Sequence, residues 1–241
     1  MRVLSAGRFA REAAASGPGV VCAVFQRCFY LRYPRGYACV GHRSLGNGPL
    51  NILVDHLARG ADASSHPLAM EAADAWAPSR RPLAIVPLGD ADPPAEGLGG
   101  LLVGRRDSLA ERAQPALAAL DRWLGGASLD AAAEQLIGLG PGLTPSGDDY
   151  FAGMLVALRA AGSGAQAELL WRWLQPRLAD RTSALSAAYL AAAAAGEAHE
   201  ALHDCLGGAG ESRARLARLA AVGHCSGWDA LAGARAVARR A

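Results

Sequence analysis

The sequence predicts an α+β fold: a mostly antiparallel β region followed by a C-terminal helical bundle. Three observations carry the prediction. Segments rich in Val, Phe, Tyr and Cys, broken by Pro and Gly, occupy residues 1–105. Alanine-, leucine- and arginine-rich segments of helical length occupy 106–241. Strands first and helices second is the α+β order, and no linker is long enough to force two independent domains, so one compact unit is expected.

The elements follow in chain order. Residues 20–33 read as strand, Pro34-Arg35-Gly36 as a turn and 37–40 as a returning strand. The apolar stretch 49–57, with Asn51 and Asp55 set into it, suits strand or helix. Residues 82–88 and 101–103 are short apolar runs bounded by Gly and Pro and read as strands, with 89–100 a loop between them. Helices are expected over 107–124, 128–138, 147–161, 165–179, 182–196, 198–206, 210–222 and 226–240.

Composition narrows the chemistry. The chain has 241 residues, a formal net charge of +2, and no lysine, so its 24 basic residues are all arginine. A lysine Schiff base and a Walker-A lysine are therefore excluded. A charge near neutrality, without a basic stretch laced with aromatics, argues against nucleic acid. No apolar run is long enough for a membrane span and no signal-peptide pattern opens the chain, so a cytoplasmic location is expected. The five cysteines form no C-x-x-C pair, which suggests neither a disulfide framework nor a zinc knuckle.

The richest local feature is the run GLGPGLTPSGDD at 138–149. Its glycines let a backbone approach a ligand closely, and a helix follows at once, with Ser146 as the expected N-cap and Asp149 closing a capping box. A helix N-terminus offers unpaired N–H groups and the positive dipole end, which suits an anion. Capping alone would explain the acids but does not require so many glycines and prolines. Gly140, Gly142, Thr144, Ser146 and Gly147 are therefore candidates for an anion cradle, with Asp148 and Asp149 as proton-handling or cation-binding groups.

The same motif occurs twice. S-G-x-D-x-x-A-G fits 146–153 and again 226–233, so Ser226 and Asp229 repeat Ser146 and Asp149 eighty residues on. Shared pattern suggests a shared role, with both helix starts lining one site and Gly153 and Gly233 letting the helices approach closely. A third helix start, Arg181-Thr182-Ser183, places a bidentate cation beside two hydroxyls, and Thr182 or Ser183 would cap it. His224 precedes the second motif and could donate a proton. Asn51, in Gly48-Pro49-Leu50-Asn51, is a weaker candidate for the same site.

One further pattern competes. His199-Glu200-Ala201-Leu202-His203 matches H-E-x-x-H, the signature of zinc hydrolases. Neither a metzincin third histidine nor a glutamate beyond Glu211 follows, and Gly207-Gly208 ends the helix early, so a third ligand is missing. No protein metal site is assigned.

These motifs in this order (GPLN at 48–51, GLGPGLTPSGDD, RTSALS at 181–186 and GHCSGWDALAG at 223–233) resemble a bacterial family that includes a subunit of the oxamate carbamoyltransferase of anaerobic allantoin breakdown. The resemblance implies carbamoyl transfer between phosphate and a small anionic amide such as oxamate. It also implies companion enzyme subunits or a homo-oligomer. On that basis Gly140, Gly142, Thr144 and Gly147 would cradle the anion, and Arg181, Thr182 and Ser183 would hold a carboxylate or phosphate. Asp148, Asp149 and Asp229 would order loops, move protons or hold Mg²⁺, with no other cofactor expected. The alternative is a non-catalytic accessory subunit that binds an anion with the same loops.

Overall fold

The structure is a computed structural model and describes residues 2–57, 73–79, 81–207 and 211–240. It is α+β, with a sheet in the N-terminal part and helices in the C-terminal part. The chain divides into two compact units, residues 1–79 with 197–200, and residues 80–196 with 201–241. Residues 80–105, read from sequence with the β region, thus pack within the helical unit.

The first unit holds six described strands: β1 (Val3–Gly7), β2 (Val20–Val24), β3 (Cys28–Tyr33), β4 (Gly36–His42), β5 (Asn51–Val54) and β6 (Asp74–Trp76), in the order β2-β3-β4-β5-β1-β6. The pairs β2/β3, β3/β4 and β1/β5 are antiparallel, whereas β4/β5 and β1/β6 are parallel, so the sheet is mixed. In β3, Phe29, Leu31 and Tyr33 point into the core while the residues between them point away, the period-two signature of a strand with one buried face. β5 is buried throughout, so it lacks that alternation and was ambiguous in sequence. Helix α1 (Arg8–Ala14) packs against this sheet through Ala10 and Ala13, one turn apart. Its brevity, directly after β1, left both elements unassigned by periodicity.

The second unit is helical: α2 (Ser108–Leu124), α3 (Ser146–Ala160), α4 (Gly164–Leu174), α5 (Leu178–Arg181), α6 (Ala184–Ala194), α7 (Glu200–Leu206, from Ala201 onward), α8 (Ser212–Ala220) and α9 (Ser226–Ala238). Residue 210, the expected start of the helix before α9, lies outside the described residues, as does Gly208. Helix α3 buries nearly its whole circumference, including Phe151, Met154, Leu155 and Leu158, which makes it the central helix.

Three expected elements differ. Residues 82–88 form no sheet strand. They run extended beside the end of α7, where Ala84 and Val86 donate backbone hydrogen bonds to the carbonyls of Leu206 and Cys205, both at 2.8 Å. Residues 101–103 lie in a 3-10 turn, Gly99–Val103, because Asp229 captures the amides at its start. The expected helix at 128–138 is a 3-10 turn over Ala131–Leu136, and Gly138, at φ +70°, turns the chain away from it.

Candidate functional site

The repeated motif produces a paired helix junction. A Cβ placed on Gly153 would lie 1.8 Å from the carbonyl oxygen of Ala230, and one on Gly233 would lie 1.9 Å from that of Tyr150. Tyr150 and Ala230 are motif equivalents, so the contact is reciprocal. The backbones of α3 and α9 touch where each helix lacks a side chain, as the repeated glycines suggested. One turn earlier the exchange repeats: the Ser226 hydroxyl faces the Asp149 carboxyl, and the Ser146 hydroxyl faces that of Asp229. The two N-termini therefore converge.

Neither serine is the cap. The N-cap positions are Pro145 and Cys225, without side-chain capping bonds. Ser146 and Ser226 open the helices themselves, and their hydroxyls turn to the partner helix's acid. Thr144 joins them, its Oγ1 3.2 Å from Ser226 Oγ.

The three aspartates differ in role. Asp148 is fully engaged: Oδ1 accepts from the amide of Gly138 at 2.8 Å, and Oδ2 accepts from Ser186 Oγ at 2.6 Å and from Thr182 Oγ1. It ties the glycine run, α3 and the start of α6 together. Asp229 is wholly buried, and its Oδ1 accepts from the amides of Leu98 and Gly99 at 2.6 and 2.9 Å. Its Oδ2 has no hydrogen-bond partner among the described residues. Asp149 is partly exposed as a residue, yet its Oδ2 is sealed from solvent and also lacks a partner among the described residues.

Burial raises the pKa of both unsatisfied acids. Asp229 is pushed up to about 6, chiefly by burial, against the hydrogen bonds from Ser146, Leu98 and Gly99 and with the charge of Asp107 adding to the rise. Asp149 is pushed well above the usual carboxylate range by burial first, with the charges of Asp229 and Asp148 adding to it. A buried acid with a raised pKa binds its proton more tightly in the folded state than in the unfolded one. The Asp229 contribution is thus fully present below the unfolded value near 3.8 and is lost as pH rises through about 6. A two-unit displacement corresponds to about 3 kcal/mol. Between pH 4 and 7, in chelator, the isosteric Asp229→Asn variant is expected to lose less stability than the wild type by about that amount. Denaturant curves across this window check it, and parallel pH profiles would refute the raised value.

The other expected site residues are placed as follows. Gly140, at φ +114°, folds the loop back on the amide of Ser146, and Gly142, at φ +96°, lies at the open loop tip. Gly147 packs against the Leu136 carbonyl, 1.8 Å from where its Cβ would be. Ser183 caps α6 by accepting from the Ser186 amide and donates to the Leu143 carbonyl at 2.7 Å. Thr182 is spent on Asp148. Arg181 pairs with Glu134 at 2.7 Å, beside Arg177 on the same carboxylate. Asn51 belongs to the first unit, where its Nδ2 donates to the Gly46 carbonyl at 2.8 Å. His224 is exposed, with Nε2 3.4 Å from Glu96 Oε2.

Sequence reasoning missed the 96–99 segment. Glu96 reaches His224 and Cys225, while the Leu98 and Gly99 amides hold Asp229, contacts that span about 130 residues and leave no local pattern. In the H-E-x-x-H segment, His199 Nε2 lies 2.8 Å from the Leu45 carbonyl oxygen, and Glu200 accepts from Asn47 at 2.8 Å. Among the described residues, the grouping with metal-ligand spacing is instead Glu96, His224 and Cys225.

Two helix starts, the hydroxyls of Thr144, Ser146 and Ser226, and two carboxyl oxygens without hydrogen-bond partners among the described residues thus come together. Residues 136–238, which run from the glycine-rich loop to the end of α9, match the family model described as oxamate carbamoyltransferase subunit AllH. Over that segment the chain is therefore similar to the family that its motifs resemble. No curated protein and no solved structure matches the chain. No helix among the described residues is long and apolar enough to cross a membrane.

Proposed function

We propose that the chain is a subunit of a carbamoyl-transferring enzyme, and that a small anion such as oxamate or carbamoyl phosphate is received where α3 and α9 begin. The observation that carries this reading is Asp149. It reaches the surface, keeps a buried unpaired oxygen, and sits among the hydroxyls of Thr144 and Ser226 at two helix starts. Similarity over 136–238 to a family described as an oxamate carbamoyltransferase subunit supports this substrate class.

In the transfer, the amide nitrogen of oxamate bonds to the carbamoyl carbon, the bond from that carbon to the phosphate oxygen breaks, and one N–H proton must leave. Asp149 takes that proton and returns it to the departing phosphate, a role that suits an acid whose proton affinity burial has raised. The Thr144 and Ser226 hydroxyls and the helix N-termini stabilise the oxyanion that develops. Asp148, with every oxygen engaged, positions the loop and does not touch substrate. Companion subunits complete the enzyme, in keeping with the family's description as a subunit. The carboxylates of Asp149 and Asp229, hard oxygen donors, would hold Mg²⁺, which would supply charge neutralisation for the phosphate.

Thermal shifts of the purified chain with phosphate, oxamate or carbamoyl phosphate, each with and without Mg²⁺, test the reading. A ligand at a hundred times its Kd should add about 2.7 kcal/mol of stability. That gain should shrink in Thr144→Ala and Asp149→Asn. Absence of a shift with every ligand would sink the anion site in this chain.

A further inference from the structure

We propose that Glu96, His224 and Cys225 form a binding site for a divalent transition-metal ion of the zinc type. The donor atoms of the three side chains all lie within 4.8 Å of one another. The Cys225 thiol points at the backbone carbonyl of Glu96, while His224 Nε2 faces the Glu96 carboxylate. Tetrahedral zinc with bonds of about 2.0–2.3 Å draws its ligands to about 3.3–3.8 Å apart, so a small rotation of exposed side chains completes the set.

The chemistry of the donors selects the ion. One imidazole, one thiol and one carboxylate suit a borderline-soft cation, and a thiolate is a poor ligand for Mg²⁺. Three protein ligands leave a fourth position for water or substrate, the arrangement of catalytic rather than structural zinc.

The thiol proton of Cys225 leaves to solvent as its sulfur coordinates the dication.

An independent observation points the same way. Asp229 is wholly buried, and its Oδ2 has no hydrogen-bond partner among the described residues. That oxygen and the Cys225 Cβ each lie 3.0 Å from where a Cβ on Gly97 would stand. An unsatisfied carboxylate near a ligand's side chain helps to balance the ion's charge. Gly97, at φ +120°, leaves this position open.

The site does not depend on the carbamoyl-transfer reading, and its test uses metal alone. The full chain is stripped with chelator and titrated with Co²⁺ while its absorption spectrum is followed. The expected result is one Co²⁺ per chain, with a sulfur-to-cobalt charge-transfer band that Zn²⁺ abolishes by displacement. Cys225→Ser should remove the band, and His224→Ala and Glu96→Gln should each weaken binding at least tenfold. Because His224 and Glu96 are exposed, these two variants should melt like the wild type, which separates ligand loss from misfolding. Absence of the band, its survival in Cys225→Ser, or unchanged affinity in both other variants would overturn the proposal.

Discussion

Gly233→Ala is expected to destabilise the helical unit by about 2 kcal/mol, and Gly153→Ala by a similar amount. Each new methyl would sit within 2 Å of a carbonyl oxygen on the opposing helix, at 1.9 and 1.8 Å. Backbone cannot rotate away as a flexible side chain can, so α3 and α9 must separate. Overpacking of this kind costs about 1–3 kcal/mol and sometimes more, whereas the helix-propensity gain of Gly→Ala returns at most about 1 kcal/mol. Gly164→Ala is the control. It opens α4, and its Cβ would meet only the Arg159 guanidinium at 3.5 Å, so no loss is expected. Urea denaturation of the three variants decides the matter, and equal midpoints would show that the helices do not meet at the two glycines.

Asp148→Ala is the second severe change. Removing the carboxylate strands three donors, the Gly138 amide and the hydroxyls of Thr182 and Ser186, in a largely buried place. Hydrogen bonds to a charged acceptor contribute about 1.5–3 kcal/mol each, and donors left buried without partners add a penalty of their own. Bonds sharing one acceptor are not additive, so the expected loss is about 3–5 kcal/mol. The glycine-rich loop should loosen first, because Asp148 is its tie to α3 and α6. Hydrogen exchange at 138–145 should rise well above that of the helices. Asp148→Asn keeps one acceptor and should lose roughly half as much. A wild-type exchange pattern in Asp148→Ala would show that the loop is held by other contacts.

The sequence displayed the junction and hid what surrounds it. The twin S-G-x-D helices were legible because motif spacing and a mid-helix glycine are local signals, and the structure joins them at the glycines named for that purpose. The long helices 107–124, 147–161 and 226–240 were legible from alanine and leucine content, and their observed bounds differ by a residue or two. In sequence, Asp148 and Asp149 shared one candidate role, as proton-handling or cation-binding groups. They diverge because helical geometry turns one toward Thr182 and Ser186 and the other toward α9. The 82–88 and 101–103 segments have strand-like composition, but backbone partners from α7 and the Asp229 carboxylate settle their conformation, and no local window contains either. β1 and α1 are too short to show a period.

The backbone contact at Gly153 and Gly233 also bears on motion. Where two helices meet through side chains, rotamer changes let them slide or tilt. Here carbonyl oxygens press on bare α-carbons at both crossing points, so the junction has no soft degree of freedom. Asp149 and Asp229, one turn before that contact, are therefore held at a fixed separation. On the proposed reading, ligand entry and release then fall to the flanking segments 93–99 and 139–145 and not to the helix pair.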